Sequence, residues 1–163
     1  MASIDKRSLP SGAALKTRYH GDYHLGQVLL QKLDFLIIDF EGEPARSFEE
    51  RRAKHLPLRD VAGMLRSFNY ARWTALRQAV EGHGDLERLA PHAGEWETLA
   101  RASFLRAYEE AVRGSDLYFS FDDMRGMLEL FELEKALYEL RYELNNRPGW
   151  VGIPLHGILA LAG

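Results

Sequence analysis

Residues 18–30 read R-Y-H-G-D-Y-H-L-G-Q-V-L-L, and residues 35–44 read F-L-I-I-D-F-E-G-E-P. Two short β-prone runs, 28–31 and 35–40, flank Lys32-Leu33-Asp34, a spacing that predicts a hairpin. The polar residues lie at its open end: His20, Asp22, His24 and Gln27 before the first strand, Asp39 at the end of the second. A hairpin folds the end of its second strand back beside the start of its first, so Asp39 is expected near Gln27. Polar clusters on loops between apolar runs are where binding and catalytic groups concentrate.

Outward from the hairpin the pattern changes. Residues 1–16 are polar, contain Pro10, Ser11 and Gly12, and read as a loose lead-in. After Gly42 and Pro44 the periodicity becomes helical. One helix opens at Pro57 and carries Val61, Met64, Leu65 and Phe68 at three- and four-residue steps. A second is expected from about 95 to 113, ending at Gly114. A third starts near Asp122 or Asp123 and runs past Leu144. A short one covers 154–161. The expected fold is mainly α, a helical body with one small β-hairpin carrying the polar loops. An isolated hairpin is marginal, so it is expected to pack on the helices.

Composition narrows the function classes. The 163 residues suffice for one domain, 46% are hydrophobic and 28% charged. A net charge of -3 argues against nucleic acid as a partner. The absence of cysteine removes disulfides and thiolate metal sites and fits the cytoplasm. No apolar run approaches a membrane span, and the N-terminus has no signal-peptide core, so no membrane partner is expected.

Asp39 and Gln27 offer a carboxylate and an amide oxygen, hard ligands of the kind magnesium prefers. Asp22 is then a second carboxylate, free to act as a base. Phosphoryl transfer needs this set: cations on the phosphates, and an aspartate to accept the proton of the attacking hydroxyl. The order His20-Gly21-Asp22, four residues, Gln27, hairpin, Asp39-Phe40-Glu41 parallels H-R-D-x-x-x-x-N followed by D-F-G.

Four strings sharpen this. H-G-D-Y-H-L-G-Q-V-L (20–29), I-I-D-F-E-G-E-P (37–44), P-L-R-D-V-A-G-M-L-R-S-F-N-Y-A (57–71) and Y-E-L-N-N-R-P-G-W-V-G-I-P-L-H-G-I-L (142–159) resemble the bacterial maltokinases, within the aminoglycoside phosphotransferase-like kinases. The resemblance runs from about Thr17 to Leu161. It implies an ATP- and magnesium-dependent enzyme that makes maltose 1-phosphate for α-glucan synthesis, with a fused or partner trehalose synthase domain. It further implies Asp22 as catalytic base, Gln27 and Asp39 as magnesium ligands, and Glu41 assisting where better-known kinases carry glycine. On this reading 17–163 is the C-terminal lobe of a protein kinase-like fold, and the N-terminal nucleotide lobe is expected to be absent from the chain.

Other residues stay open between two readings. His20 either assists or organises the loop through backbone bonds. His24 either meets phosphate or sugar or is incidental. Glu134, Tyr138 and Tyr142 recur at four-residue steps on one helical face and are candidates for the sugar, with Tyr70 and Trp73 on an earlier helix. Equally, the tyrosines pack in the bundle. Arg51, Arg52 and Lys54 are either a solvated run or lie near phosphates. Asp60 is expected to stabilise a helix start or to pair with an arginine. A metal-hydrolase site built on His20, Asp22, His24 and Asp39 is weaker, because His83 and His92 lack ligand spacing. Rival functions are a kinase of the same superfamily with another sugar or an aminoglycoside acceptor, and a non-catalytic sugar-binding remnant.

Overall fold

In a computed structural model, which describes residues 14–82, 84–118 and 120–162, Val28–Gln31 (β1) pairs antiparallel with Asp34–Ile37 (β2). Most of the expected lead-in and His83 lie outside the described residues. The register sets Val28 against Ile37 and Leu30 against Phe35. Lys32 turns the chain at φ 59°. The second strand stops at Ile37 rather than at Phe40. The reason is local: Asp39 adopts φ 63°, a left-handed conformation that cannot continue a strand.

The hairpin does not bury itself as expected. Val28 is half-buried and every other strand residue is exposed, with Leu33 at the tip 99% exposed. Its attachment to the body is instead at its open end, where the 310 turn Leu25–Gln27 meets the helices: the Leu25 amide donates to Ser67 Oγ at 2.8 Å.

Five α-helices follow. The short α1, Phe48–Arg52, escapes periodicity but carries a capping box. Ser47 Oγ accepts from the Glu50 amide at 3.3 Å, and the Glu50 carboxylate accepts from the Ser47 amide at 2.8 Å. Helix α2, Leu58–Glu81, starts directly after Pro57, as the sequence predicts. Helix α3 spans Leu86–Val112 and so begins well before residue 95. Asp85 caps it by accepting from the Arg88 amide at 3.2 Å, and the helix tolerates Pro91 inside its second turn. The 310 turn Asp122–Met124 leads into α4, Arg125–Asn146, and Pro148–Trp150 leads into α5, Gly152–Ala162. Among the described residues no helix is long and apolar enough to cross a membrane.

The core is centred on α2. Leu58, Val61, Ala62 and Leu65 pack with Met124 and Leu128, and Phe104, Leu105 and Tyr108 of α3 close one side. Each fully buried leucine here contributes about 1.5–3 kcal/mol. Ionic bolts join the same helices. Arg101 of α3 donates twice to Glu132 of α4, at 2.8 and 2.9 Å, and Arg66 of α2 donates to Glu139 at 2.9 Å. Glu143, 1% exposed, accepts from Tyr70 of α2 at 3.1 Å and from two nitrogens of Arg147. These bolts set α4 at a fixed height along α2, and one flank of α4 faces the polar loops.

Candidate functional site

The loop around Asp22 is held by its backbone. Asp60, in the first turn of α2, accepts from the amides of His20 (2.6 Å) and Gly21 (2.9 Å). Burial raises the Asp60 carboxyl above its ordinary pKa, although these two amides oppose the rise. His20, buried, hydrogen-bonds the Ile38 carbonyl through Nε2 at 2.7 Å and accepts from the Asp22 amide through Nδ1 at 3.3 Å. The carbonyl can only accept, so Nε2 carries the proton and Nδ1 is free to accept. The ring therefore joins the Asp22 loop to the segment that leads into Asp39. Gly21 (φ 87°) and Gly42 (φ 79°) meet back to back, and a Cβ on Gly21 would lie 3.1 Å from the Gly42 Cα. Gly21 combines a left-handed backbone with this close approach, whereas Gly42 is favoured by its φ alone, since a Cβ there would stand 3.5 Å from Arg51.

Asp22 projects from this junction. Its carboxylate lies 3.4 Å from Lys135 Nζ and 3.7 Å from His24 Nε2. Burial works against its ionisation. The nearby His24 imidazole and the Lys135 charge outweigh it, and the carboxyl is held down to about 2. A carboxylate kept ionised at the wall of a cleft can accept a proton from a bound hydroxyl.

Gln27 and Asp39 come together as predicted. Ile38 N donates to the Gln27 carbonyl at 3.0 Å, and Gln27 Nε2 donates to Asp39 Oδ2 at 2.9 Å. Both side chains are accessible at the open end of the hairpin. Turning the Gln27 amide over presents two oxygens side by side, a donor set that fits magnesium with several of its waters retained. Among the described residues no group of three His, Asp or Glu side chains could hold a metal ion, so the hydrolase constellation is not assembled. Glu41 points its carbonyl at Arg51 Nη1 (3.4 Å). Arg51 and Arg52 end α1, and Arg52 lies over the Phe48 ring.

Beside Asp22 opens a cleft of about 660 Å³, lined by His24, Glu43, Tyr70, Lys135, Tyr138 and Tyr142 among others. Tyr138 and Tyr142 thus share one cleft with Asp22. Glu134 lines a smaller adjoining pocket of about 100 Å³, which Asp22, Glu43, Lys135 and Tyr138 also wall, and is engaged by Arg59 at 2.9 Å. Trp73 also lies elsewhere, stacked on His156 at 4.6 Å. Three residues of the site were not legible from sequence: Asp60 as a loop anchor, and Glu43 and Lys135 as cleft residues. Lys135 Nζ sits 3.4 Å from both Asp22 and Glu43, and the Tyr138 hydroxyl donates to Glu43 at 2.9 Å. Glu43 stands inside the quoted I-I-D-F-E-G-E-P string, which is the signal that could have found it.

The comparisons with known proteins point the same way. No protein-family model matches the chain. It is 30% identical over 135 residues to a glucosamine kinase of Streptacidiphilus jiangxiensis, across 83% of its own length and 29% of that protein. It is 31% identical over 144 residues to a glucosamine kinase of Mycolicibacterium smegmatis (strain ATCC 700084 / mc(2)155), across 87% of its length and 33% of that protein. A solved glucosamine kinase in complex with glucosamine, ADP and inorganic phosphate superposes with TM-score 0.74 at 25% identity, over 88% of this chain and 32% of that one. Another crystal form gives TM-score 0.73 at 27% identity. The chain has a sugar kinase-like fold. It corresponds to a helical lobe of that fold, and it spans about a third of the length of the relatives it matches.

Proposed function

We propose that residues 17–163 form the acceptor-binding lobe of an ATP-dependent sugar phosphotransferase, completed by an N-terminal nucleotide lobe. One observation carries this reading. The Gln27–Asp39 pair, joined at 2.9 Å, stands at the open end of the hairpin, and His20 ties that end to the loop bearing Asp22. Cation ligands and a candidate base are thereby held on one frame, with a sugar-sized cleft on the far side of the base. Asp22 accepts the proton of the acceptor hydroxyl as that oxygen bonds to the γ-phosphorus and the bond from phosphorus to the ADP oxygen breaks. Asp39 and Gln27 would hold a magnesium ion, which would neutralise phosphate charge. Tyr138 and Tyr142 give the sugar ring faces to lie against, and His20 keeps the loop in register. His24 steadies Asp22. Glu134, held by Arg59 in the adjoining pocket that Asp22 also lines, walls the acceptor site from that side, and Glu41 keeps an accessory place beside the cation.

The acceptor best supported is an amino sugar. The similarity to two glucosamine kinases favours it, as do the carboxylates of Asp22 and Glu43 at the cleft wall. Maltose, with its link to a trehalose synthase, is the second reading. The four strings quoted above support it, together with half-exposed Tyr142, which extends the aromatic wall toward a second ring.

Titrating the isotope-labelled chain with glucosamine, and separately with maltose, tests the reading. Amide shifts confined to 19–24 and 134–142 are expected, strongest with glucosamine. Added manganese should broaden the signals of Gln27 and Asp39 in the wild type and spare them in Asp39→Ala. A chain that responds to neither sugar, or that manganese broadens elsewhere, overturns it.

A further inference from the structure

Asp22 and Glu43 are the residues that immediately follow Gly21 and Gly42, the two glycines in backbone contact. The contact therefore projects two carboxylates from two different loops into the same cleft. Lys135 of α4 reaches up between them and stands 3.4 Å from each. Its ammonium also lies over the Tyr138 ring, 5.1 Å from the centroid. Tyr138 in turn grips Glu43 through its hydroxyl at 2.9 Å. Glu43 is thus fixed by a neutral donor and pulls on a cation that Asp22 also attracts. Both carboxylates are largely shielded from solvent, with 20% of the Asp22 side chain and 14% of Glu43 exposed. Shielding of that degree strengthens the pull of each on the lysine.

We propose that Glu43 is a positioning residue for the acceptor site: it holds Lys135 midway and so keeps a face of Asp22 open to the acceptor hydroxyl. This rests on the reading of Asp22 as the base. If Lys135 closed fully on Asp22, its ammonium would compete with the hydroxyl for Oδ1 and lower the basicity of the carboxylate. The other charged or titratable groups facing Asp22 are His24 at 3.7 Å, and Asp60 and Tyr138 at longer range. Glu43 also gives the segment after Asp39 a grip on α4, so a shift of the cation-binding loop is felt at the lysine that faces the base.

The test is the Glu43→Gln variant, which keeps the shape and the Tyr138 bond and removes the charge. Its crystal structure should show Lys135 Nζ closed to about 2.8 Å from Asp22, the length of a charge-assisted bond. A lysine that stays midway overturns the proposal, whatever the sugar data say. Binding of glucosamine to the chain should weaken about tenfold in Glu43→Gln. It should recover to within about threefold of wild type in Glu43→Gln/Lys135→Met, because the obstructing cation is gone. A double variant no better than the single one also overturns the proposal, since a merely structural role for Glu43 is not rescued by deleting the lysine. If Glu43→Gln does not fold, Tyr138→Phe releases Glu43 from the other side and should shift Lys135 in the same direction. A wild-type chain that binds neither glucosamine nor maltose counts against the sugar reading, and the position of Lys135 in the variant still decides the role of Glu43.

Discussion

At the scale of single residues, the charge state of Asp22 has a measurable consequence for stability. Its folded carboxyl titrates at about 2, against 3.8 ordinarily. A depressed carboxylate stabilises the fold at every pH above its unfolded value, and that contribution disappears as the pH falls through the folded value. Wild type should therefore exceed Asp22→Asn in unfolding free energy by up to about 2 kcal/mol above pH 4. The gap should close as the pH falls toward 2. Urea unfolding of both proteins at a series of pH values measures it, and a gap independent of pH would remove the ionic account. Gln27 and Asp39 were legible as neighbours because their meeting rests on hairpin spacing within about twenty residues of chain. Asp60, Glu43 and Lys135 were not. Lys135 is separated from Asp22 by 113 positions, and only the docking of α4 on α2 brings it there. No local pattern records that docking.

Secondary-structure elements were legible to different degrees, for physical reasons. Helices α2 and α4 show through their three- and four-residue periodicity. Yet periodicity marked a helix without marking its core. Leu130, Leu137 and Leu144 of α4 are 55%, 52% and 57% exposed, whereas Glu132 and Glu143 of the same helix are buried because arginines and a tyrosine satisfy them. The start of α3 was hidden because Pro91 interrupts the pattern that its Asp85 cap begins. Helix α5 offers a sharper test of packing. A Cβ on Gly157 would overlap the guanidinium of Arg66, which is held by Glu139, whereas one on Gly126 of α4 meets nothing within 4 Å. Gly157→Ala should cost about 1–3 kcal/mol through overpacking. Gly126→Ala should gain roughly 0.5 kcal/mol from helix propensity. Thermal unfolding of the two variants should move the midpoint in opposite directions. A Gly157→Ala protein as stable as wild type would mean that Arg66 moves aside freely.

At the scale of the whole molecule, the apolar surface is unevenly distributed. Leu29, Leu30, Leu33, Phe35, Leu36 and Phe40 are all exposed on or beside the hairpin. Successive pairs alternate faces, so Leu29 with Leu36 and Leu30 with Phe35 leave apolar surface on both sides of the hairpin, and exposed apolar surface of that kind marks an interaction surface or an aggregation liability. Replacing Leu30 and Phe35 with serine should lower the fluorescence of a bound hydrophobic dye and raise the concentration at which the chain stays monomeric. The unfolding free energy should stay within about 0.5 kcal/mol, because neither side chain is buried. Dye binding unchanged by the substitutions would place the patch elsewhere. The helical body and its hairpin were thus legible from residue patterns, but the exposure of the hairpin was not, since alternating or continuous apolar runs look the same whether covered or bare.

The meeting of Gly21 and Gly42 has a consequence for how such a site can be traced through descent. Each position disfavours a side chain on its own account, by a backbone φ of 87° at one and 79° at the other. That strain is not relieved by a change at the neighbour. Two positions that seldom vary seldom covary. The junction that sets the two carboxylates side by side should leave little signal of correlated substitution, and a contact map inferred from such correlations should be faint where the two loops touch.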